Sequence, residues 1–235
     1  MAATACALVT CPVASASLTI SGSVGGAPTG VNKVNFDDLT PGSSGGTATG
    51  PSGTVDVSFV TDGKAVAGAV SGQYAMPWLS GGNGTGFGAP NQPNGQDVTT
   101  YLTSGISDGT TFGAAILTFS TPLHYIGLLW GSVDNYNTLS LYNGTTLVGT
   151  VTGSQVLASP NGDQGINGTL YVNITSTDAF NKVVATSTQY AFEFDNVAYS
   201  AVPEPTTMVA GAGALGLALL GIGRARRTSA IRIGK

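Results

Sequence analysis

Apolar and polar residues alternate along much of the chain between residues 17 and 200. At 55–59 the order is Val, Asp, Val, Ser and Phe, and similar patterns recur at 170–174 and 190–195. Such alternation is typical of a β-strand with one buried face, because successive side chains point to opposite sides of the strand. No segment of this body longer than about ten residues shows a helical period. The sequence therefore predicts an all-β domain over residues 17–200.

Two local patterns refine this prediction to a jelly-roll-like β-sandwich. Asn143-Gly144 separates TLSLY from TTLVGTV, and Asn-Gly favours a tight hairpin turn, so we predict a hairpin over 137–152. The segment from Leu123 to Trp130 is almost continuously apolar, as expected for a central strand covered on both faces. Short strands separated by Gly-, Asn- and Pro-rich turns are typical of sandwiches.

Charged residues make up only 9% of the chain, and their distribution is uneven. Residues 17–200 contain three Lys and eleven acidic residues, so the predicted body is strongly acidic. A nucleic-acid interface needs clustered Lys and Arg on the folded body, since these neutralise phosphates. The composition therefore excludes nucleic acid as a partner.

The first sixteen residues are uncharged, apolar from Ala5 to Val13, and end in Ala14-Ser15-Ala16. Small residues at the first and third positions before a cut fit the pockets of signal peptidase. We therefore predict a signal peptide at 1–16, with an unstructured N-terminal tail as the alternative. Both cysteines lie in this segment, so the mature chain would lack disulfides, catalytic thiolates and cysteine-bound metals.

The stretch from Met208 to Gly223 is also uncharged. As a helix, its sixteen residues would span about 24 Å, which is workable in a bilayer when flanking arginines reach the interface. We predict a transmembrane helix at 206–223, with a buried core helix as the alternative. Positive charge marks the cytoplasmic side, so the body would lie outside and residues 228–235 would form a short cytoplasmic tail. The charges that set this topology are Arg224, Arg226 and Arg227.

Four residues, Val202-Pro203-Glu204-Pro205, stand just before this stretch, and their two prolines keep the segment extended and accessible. Residues 202–227 thus contain, in this order, the tetrapeptide, the hydrophobic stretch and the arginine cluster. This order resembles the PEP-CTERM sorting signal of bacterial exosortase substrates. The resemblance implies transient anchoring in the inner membrane and cleavage near the tetrapeptide by a membrane-embedded exosortase. It further implies delivery of the body to the outer envelope, the cell surface or the extracellular matrix.

The body carries a second resemblance. The segment WGSVDNYNT at 130–138 is similar to one characteristic of a group of exosortase-dependent surface proteins. The segment FEFDNV at 192–197 is also common in such proteins. The group has no assigned biochemical activity, so the resemblance implies a place in the cell rather than a reaction.

Few residues suggest catalysis. His124 is the single histidine, and without a cysteine or a second histidine it cannot build a usual zinc site, so we expect a structural role. Paired carboxyl groups could hydrolyse a glycoside. Glu193 and Asp195, two apart in one strand, are expected on its outward face, where they would form an exposed pair, a cation site or an acid pair. The candidate carboxyl groups are Asp37, Asp38, Asp134, Glu193 and Asp195.

Oxygen-bearing side chains alternate in the loop NGDQGING. Asn161, Asp163 and Asn167 are therefore candidate ligands of a structural Ca²⁺, the one cofactor expected, and a loop held by Asx turns is the alternative. Trp78 and Tyr136 are candidates for stacking on a ligand, whereas Trp130 is expected in the core.

These observations leave three functional hypotheses in order. The first is a non-enzymatic surface or matrix protein, structural or adhesive, whose partners are signal peptidase, an exosortase and an exopolysaccharide. The second is a carbohydrate-binding module of the envelope or exopolysaccharide. The third is a secreted glycosidase.

Overall fold

The computed structural model describes residues 16–23, 25–88, 94–105 and 113–201. The chain divides into two units, Met1–Pro203 and Glu204–Lys235, and the described residues all belong to the first. The predicted signal segment, except for Ala16, therefore lies outside the described residues. The same holds for the tetrapeptide at 202–205, the helix at 206–223, the arginine cluster and the tail. Among the residues that are described, no helix is long and apolar enough to cross a membrane.

The described body consists of thirteen strands and one short helix. In chain order the strands are β1 (Leu18–Ser23), β2 (Asn32–Val34), β3 (Gly45–Gly50), β4 (Gly53–Val60), β5 (Lys64–Val66), β6 (Trp78–Leu79), β7 (Gly95–Gln96), β8 (Tyr101–Thr103), β9 (Ala114–Gly131), β10 (Asn137–Asn143), β11 (Thr146–Thr152), β12 (Leu170–Ser187) and β13 (Glu193–Ser200). The helix α1 (Gly153–Val156) follows β11. The all-β prediction is confirmed.

Eleven of these strands form one antiparallel sheet, and β6 and β7 pair separately. At its centre β9 and β12 run for eighteen residues each. Residues 114–118 of β9 pair with β4 on one side and with 182–186 of β12 on the other. Further along, residues 125–131 of β9 pair with the first part of β12 and with β13. Both long strands thus run through the two halves of the sheet. The halves differ in the other strands that pair with β9.

Both halves contribute to one principal core cluster. Val57 and Leu117 come from the first half, and Val172 and Phe194 come from the second. Trp130 is fully buried there and stacks on Phe192, with 4.2 Å between ring centroids. The prediction that Trp130 belongs to the core is therefore confirmed.

The opposite face of β9 carries a second, smaller core cluster. Tyr125 and Leu129 of β9 pack there with Leu79, Phe87 and Tyr171. Residues 125–131 of β9 are accordingly buried on both faces. This confirms the central, doubly covered strand that the apolar run predicted.

The predicted hairpin is present, but its loop lies one residue further along the chain. Asn143 pairs with Thr146, so the loop residues are Gly144 and Thr145, and Gly144 takes the left-handed φ of 61°. A bulge follows further from the loop, where Leu141 pairs with Gly149 while the next residue pairs with Leu147. The extra residue on β11 moves the pairing by one position.

The outer face of β13 is covered by the described residues of the segment 69–104, which are 69–88 and 94–104. Ala75 N–H donates to Glu193 Oε1 over 2.9 Å, and Pro77 packs against Gly131 at the end of β9. Glu193 and Asp195 are consequently only 2% and 1% exposed. The expectation that they form an exposed pair on an outward face is wrong. Alternation shows which residues share a face, but it does not show whether a distant segment covers that face.

Candidate functional site

A cleft of about 470 Å³ opens at the beginning of β13. It is lined by the loop 69–75, by Ser132, Asp134 and Tyr136 after β9, by Asn161, Gly162 and Gln164, and by residues 190, 191 and 193. We call this site the acidic cleft because Asp134 and Glu193 are its two charged side chains. Four separate stretches of chain meet here, so the long connections between strands build the site.

Glu193 is the most deeply buried carboxyl group of the acidic cleft. Ala75 N–H donates to its Oε1, and the Ser132 hydroxyl donates to its Oε2 over 2.5 Å. Burial raises the pKa of Glu193 to about 7, although these two hydrogen bonds act in the opposite direction. Ser132 directly follows β9 with a left-handed φ of 37°. Near neutral pH, Glu193 is therefore poised to hold or release a proton.

Asp134 and Tyr136 form the second polar pair of the acidic cleft. The Tyr136 hydroxyl donates to Asp134 Oδ2 over 2.6 Å and lies 3.1 Å from the Tyr190 carbonyl oxygen. Burial raises the pKa of Asp134, and the hydrogen bond from Tyr136 partly offsets this effect. Burial and the neighbouring Asp134 also raise the pKa of Tyr136. The pair therefore stays hydrogen-bonded, with Asp134 as the acceptor.

This arrangement is suited to a polar ligand. Glu193 can donate when protonated, Asp134 can accept, and Gln73 and Gln164 can do either. Tyrosine rings at the rim offer flat apolar surface of the kind on which a sugar ring stacks. They belong to Tyr136 and Tyr190, while the third tyrosine of the lining, Tyr74, has the Lys64 ammonium over its ring.

A second group of acids lies on the same covered face, further along β13. Asp195 projects from this strand, Asp97 follows β7, and Asp37 follows β2. We call these three residues the buried carboxyl cluster. Burial raises the pKa of Asp195 well above its usual range, and the adjacent Asp97 and Asp37 raise it further. Burial likewise raises the pKa of Asp37, with Asp97 adding to the effect.

The candidate carboxyl groups thus divide between two sites. Asp134 and Glu193 lie in the acidic cleft, whereas Asp37 and Asp195 lie in the buried carboxyl cluster. Asp38 belongs to neither, and its Oδ2 accepts from Thr49 N–H over 2.9 Å. The structure therefore does not bring Glu193 and Asp195 into one common site.

Sequence reasoning missed Asp97 and Ser132. Asp97 precedes Thr99, whose N–H and hydroxyl both donate to Asp97 Oδ1. That spacing indicates an Asx turn, but it carries no sign of the distant acids. Ser132 lies inside the segment WGSVDNYNT, but no pattern around it indicated a contact with Glu193.

The two aromatic candidates have different positions. Tyr136 lines the acidic cleft. Trp78 is half-buried outside this lining, and its main-chain N–H donates to Thr169 Oγ1 over 3.1 Å. Of the two, Tyr136 is therefore placed to meet a ligand in the cleft.

The candidate calcium loop contains the contacts of Asx turns. Asn161 Oδ1 accepts from Asp163 N–H over 3.3 Å, and Asp163 Oδ1 accepts from Gly165 N–H over 2.7 Å. Asn167 is exposed. Within the described ranges, no three Asp, Glu, His or Cys side chains are grouped closely enough to hold a metal together. Calcium at Asn161, Asp163 and Asn167 stays a prediction.

His124 is half-buried in β9. Its Nδ1 donates to the Ser176 carbonyl oxygen over 3.0 Å, which ties β9 to β12. This contact fits the structural role expected from its isolation in the sequence.

Similarity to known proteins gives no further guidance. No protein-family model matches the chain, and no curated protein matches it.

Proposed function

We propose that this chain is an exported, non-enzymatic surface protein that an exosortase releases from the inner membrane. The observation that carries the proposal is the order of tetrapeptide, hydrophobic stretch and arginine cluster at 202–227. The released body would act in the envelope or in an exopolysaccharide matrix as a structural or adhesive component. Signal peptidase would remove residues 1–16 during export.

The end of the fold is compatible with such a cut. The last strand, β13, ends at Ser200, and the tetrapeptide begins at Val202. Cleavage within the tetrapeptide would therefore leave every described strand in the released fragment. The body would keep its two core clusters after processing.

A sandwich of jelly-roll type is the architecture we propose for this body. The two halves of the sheet have different strand partners, yet their apolar residues share one principal core cluster. A sheet that folds over along β9 and β12 would bury that cluster between two layers. Such a rigid body, with its long connections at the surface, is suited to exposure outside the cell.

The test of processing compares the wild-type chain with a Glu204→Ala variant in a bacterium that encodes an exosortase. We expect the wild-type body in the envelope or medium as a shortened fragment, measured by intact mass after fractionation. The variant should remain in the inner membrane at the mass of the uncut chain. Thr207→Ala, next to the tetrapeptide, is the matched control and should behave as wild type. Equal masses and equal fractionation of wild type and Glu204→Ala would overturn the proposal.

Carbohydrate binding is a second candidate function, and the acidic cleft is the observation that favours it. Its hydrogen-bonding carboxyl and amide groups stand beside tyrosine rings, as a sugar ligand requires. Calorimetric titration with the oligosaccharides of the host exopolysaccharide should show binding that Tyr136→Ala abolishes. Trp78→Ala, outside the cleft, should bind as wild type. Binding lost in Trp78→Ala and kept in Tyr136→Ala would place the ligand elsewhere. A glycosidase that pairs Glu193 with Asp195 is not favoured, because the two residues belong to separate sites.

A further inference from the structure

The buried carboxyl cluster contains oxygens without a hydrogen-bond donor. Both carboxylate oxygens of Asp195 and the Oδ2 of Asp97 are buried without a well-formed hydrogen bond, although the nearby Asn196 N–H partly stabilises the Asp195 carboxylate. Each of these two residues is only 1% exposed. An ionised carboxylate taken out of water is unstable unless a donor or a cation compensates for the lost hydration. When it is ionised, the cluster therefore needs a partner of positive charge.

The body's own cations do not supply that charge. The ammonium groups of its three lysines lie over aromatic rings: Lys33 over Phe87, Lys64 over Tyr74 and Lys182 over Tyr142, at 5.0, 5.4 and 4.7 Å from the ring centroids. Lys33 also donates to the Thr85 carbonyl oxygen.

The nearby Tyr171 hydroxyl does not compensate either. It donates to the Asn196 carbonyl oxygen over 3.1 Å, one residue from Asp195, and is therefore already engaged. Within the described ranges, therefore, no lysine ammonium is placed to neutralise the cluster.

A small cavity borders the cluster. Its volume, about 20 Å³, is enough for one water-sized particle. Asn35, Asp37, Asp97 and Asn196 are among the residues that line it. Their side chains offer oxygen and amide groups but no imidazole or thiolate, and oxygen ligands are those that Ca²⁺ prefers.

We propose that the buried carboxyl cluster binds one Ca²⁺ ion, with Asp97 and Asp195 as its carboxylate ligands. Asp37 borders the same cavity but is not one of the two carboxylate ligands. Its Oδ1 accepts from Thr100 N–H and its Oδ2 from Asn35 Nδ2, so it is already held in place. Two carboxylates rather than three hold the ion, which agrees with the absence of a three-residue metal group in the described part of the chain. Amide and main-chain oxygens of the cavity lining complete the coordination.

This ion would fasten the covering segment to the sheet. Asp97 belongs to the segment 69–104, and Asp195 belongs to β13. Bound Ca²⁺ would therefore join this segment to β13. Its removal would loosen the second core cluster, which lies between the segment and the sheet. The site uses none of the residues of the sorting signal or of the acidic cleft, so this proposal does not depend on the proposed function.

The test uses the full-length chain in detergent micelles, stripped with EDTA and then titrated with CaCl₂ or with Tb³⁺. The melting temperature should rise with Ca²⁺ and fall back with EDTA. Tyrosine-sensitised Tb³⁺ luminescence should saturate, because Tyr171 packs against Phe87 at the border of the cavity. Asp97→Asn and Asp195→Asn should each weaken the affinity at least tenfold. Asp178→Asn, at an exposed position, is the control and should bind as wild type. Asp163→Asn tests whether the binding comes from the candidate calcium loop instead.

Three results would overturn the proposal. The first is a wild-type chain whose melting temperature does not change with Ca²⁺ and whose Tb³⁺ luminescence does not saturate. The second is binding that Asp163→Asn abolishes and Asp195→Asn leaves intact. The third is an Asp195→Asn variant more stable than a calcium-insensitive wild type, which would show that Asp97 and Asp195 share a proton instead. The wild-type titration decides the matter even when a variant fails to fold.

Discussion

Ser132 and Glu193 are joined by a hydrogen bond of 2.5 Å from the serine hydroxyl to Glu193 Oε2. The serine stands at the end of β9 and the glutamate at the beginning of β13, so the bond links neighbouring strands of the sheet. It also holds a carboxyl group whose pKa burial raises to about 7. The acidic cleft therefore changes its charge close to neutral pH.

Glu193→Gln should make the stability of the protein less dependent on pH. Between pH 4.5, the usual pKa, and about 7, the folded chain holds this proton and the unfolded chain does not. The free energy of unfolding therefore falls as the pH rises through this window, by on the order of 3 kcal/mol. Glutamine imitates the protonated acid, because it can accept from Ala75 and donate to Ser132. Urea unfolding at pH 5 and pH 8 should show the variant to be more stable than wild type at pH 8 only. Identical slopes in the two proteins would contradict this.

Ser132→Ala should raise the pKa of Glu193 above 7. The hydrogen bond from Ser132 favours the ionised carboxylate and so lowers the pKa of Glu193. Without this bond, the opposing effect of burial raises the pKa further. The measurement is an NMR titration of the glutamate side-chain carbon. Ser58→Ala, on an exposed position of β4, should leave this pKa unchanged. A pKa that falls in Ser132→Ala would show that the serine bond favours the protonated acid.

Tyr136→Phe should raise the pKa of Asp134 and destabilise the fold. The tyrosine hydroxyl is the donor to Asp134 Oδ2, and a buried carboxylate that loses its donor costs about 1–3 kcal/mol. The loss of stability is measured by thermal unfolding at pH 7, where the carboxylate form of Asp134 depends most on this donor. The matched control is Tyr142→Phe, which keeps the ring beneath Lys182. Equal losses in the two variants would argue against a specific role for the Tyr136 hydroxyl.

Trp130→Ala should destabilise the fold by about 3–5 kcal/mol, the usual range for emptying a large aromatic site in a core. Trp130 is fully buried and stacked on Phe192, whereas Trp78 is half-buried in the covering segment. Trp78→Ala should therefore lower the free energy of unfolding clearly less than Trp130→Ala. Denaturant unfolding followed by circular dichroism compares the two. A larger loss in Trp78→Ala would mean that the covering segment, and not the principal core cluster, dominates the stability.

The strands could be predicted from the sequence wherever one face meets a core and the other meets solvent. At Val55 and Val57 this holds, and the pattern gives both the strand and its buried face. The apolar run ending at Trp130 likewise revealed a strand covered on both faces. Alternation and apolar runs are local signals, so they can be recognised in the sequence without knowing which strands pair.

The two candidate sites could not be predicted in this way. Glu193 and Asp195 follow a strand pattern that places polar residues outward, yet the segment 69–104 covers them. That segment is rich in Gly, Asn and Pro and has no period, so nothing in it indicates where it packs. Asp97 reaches Asp195 across almost a hundred positions of sequence. Such an approach depends on the tertiary fold alone.

The position of β13 has a consequence for when the body can fold. This final strand pairs with β9 and also with β2 and β8, so it fills the middle of the sheet rather than its edge. The principal core cluster lacks Phe192, Phe194 and Val197 until the last part of the body has been synthesised. In a chain emerging from the ribosome, this core therefore stays incomplete until residue 200 is available.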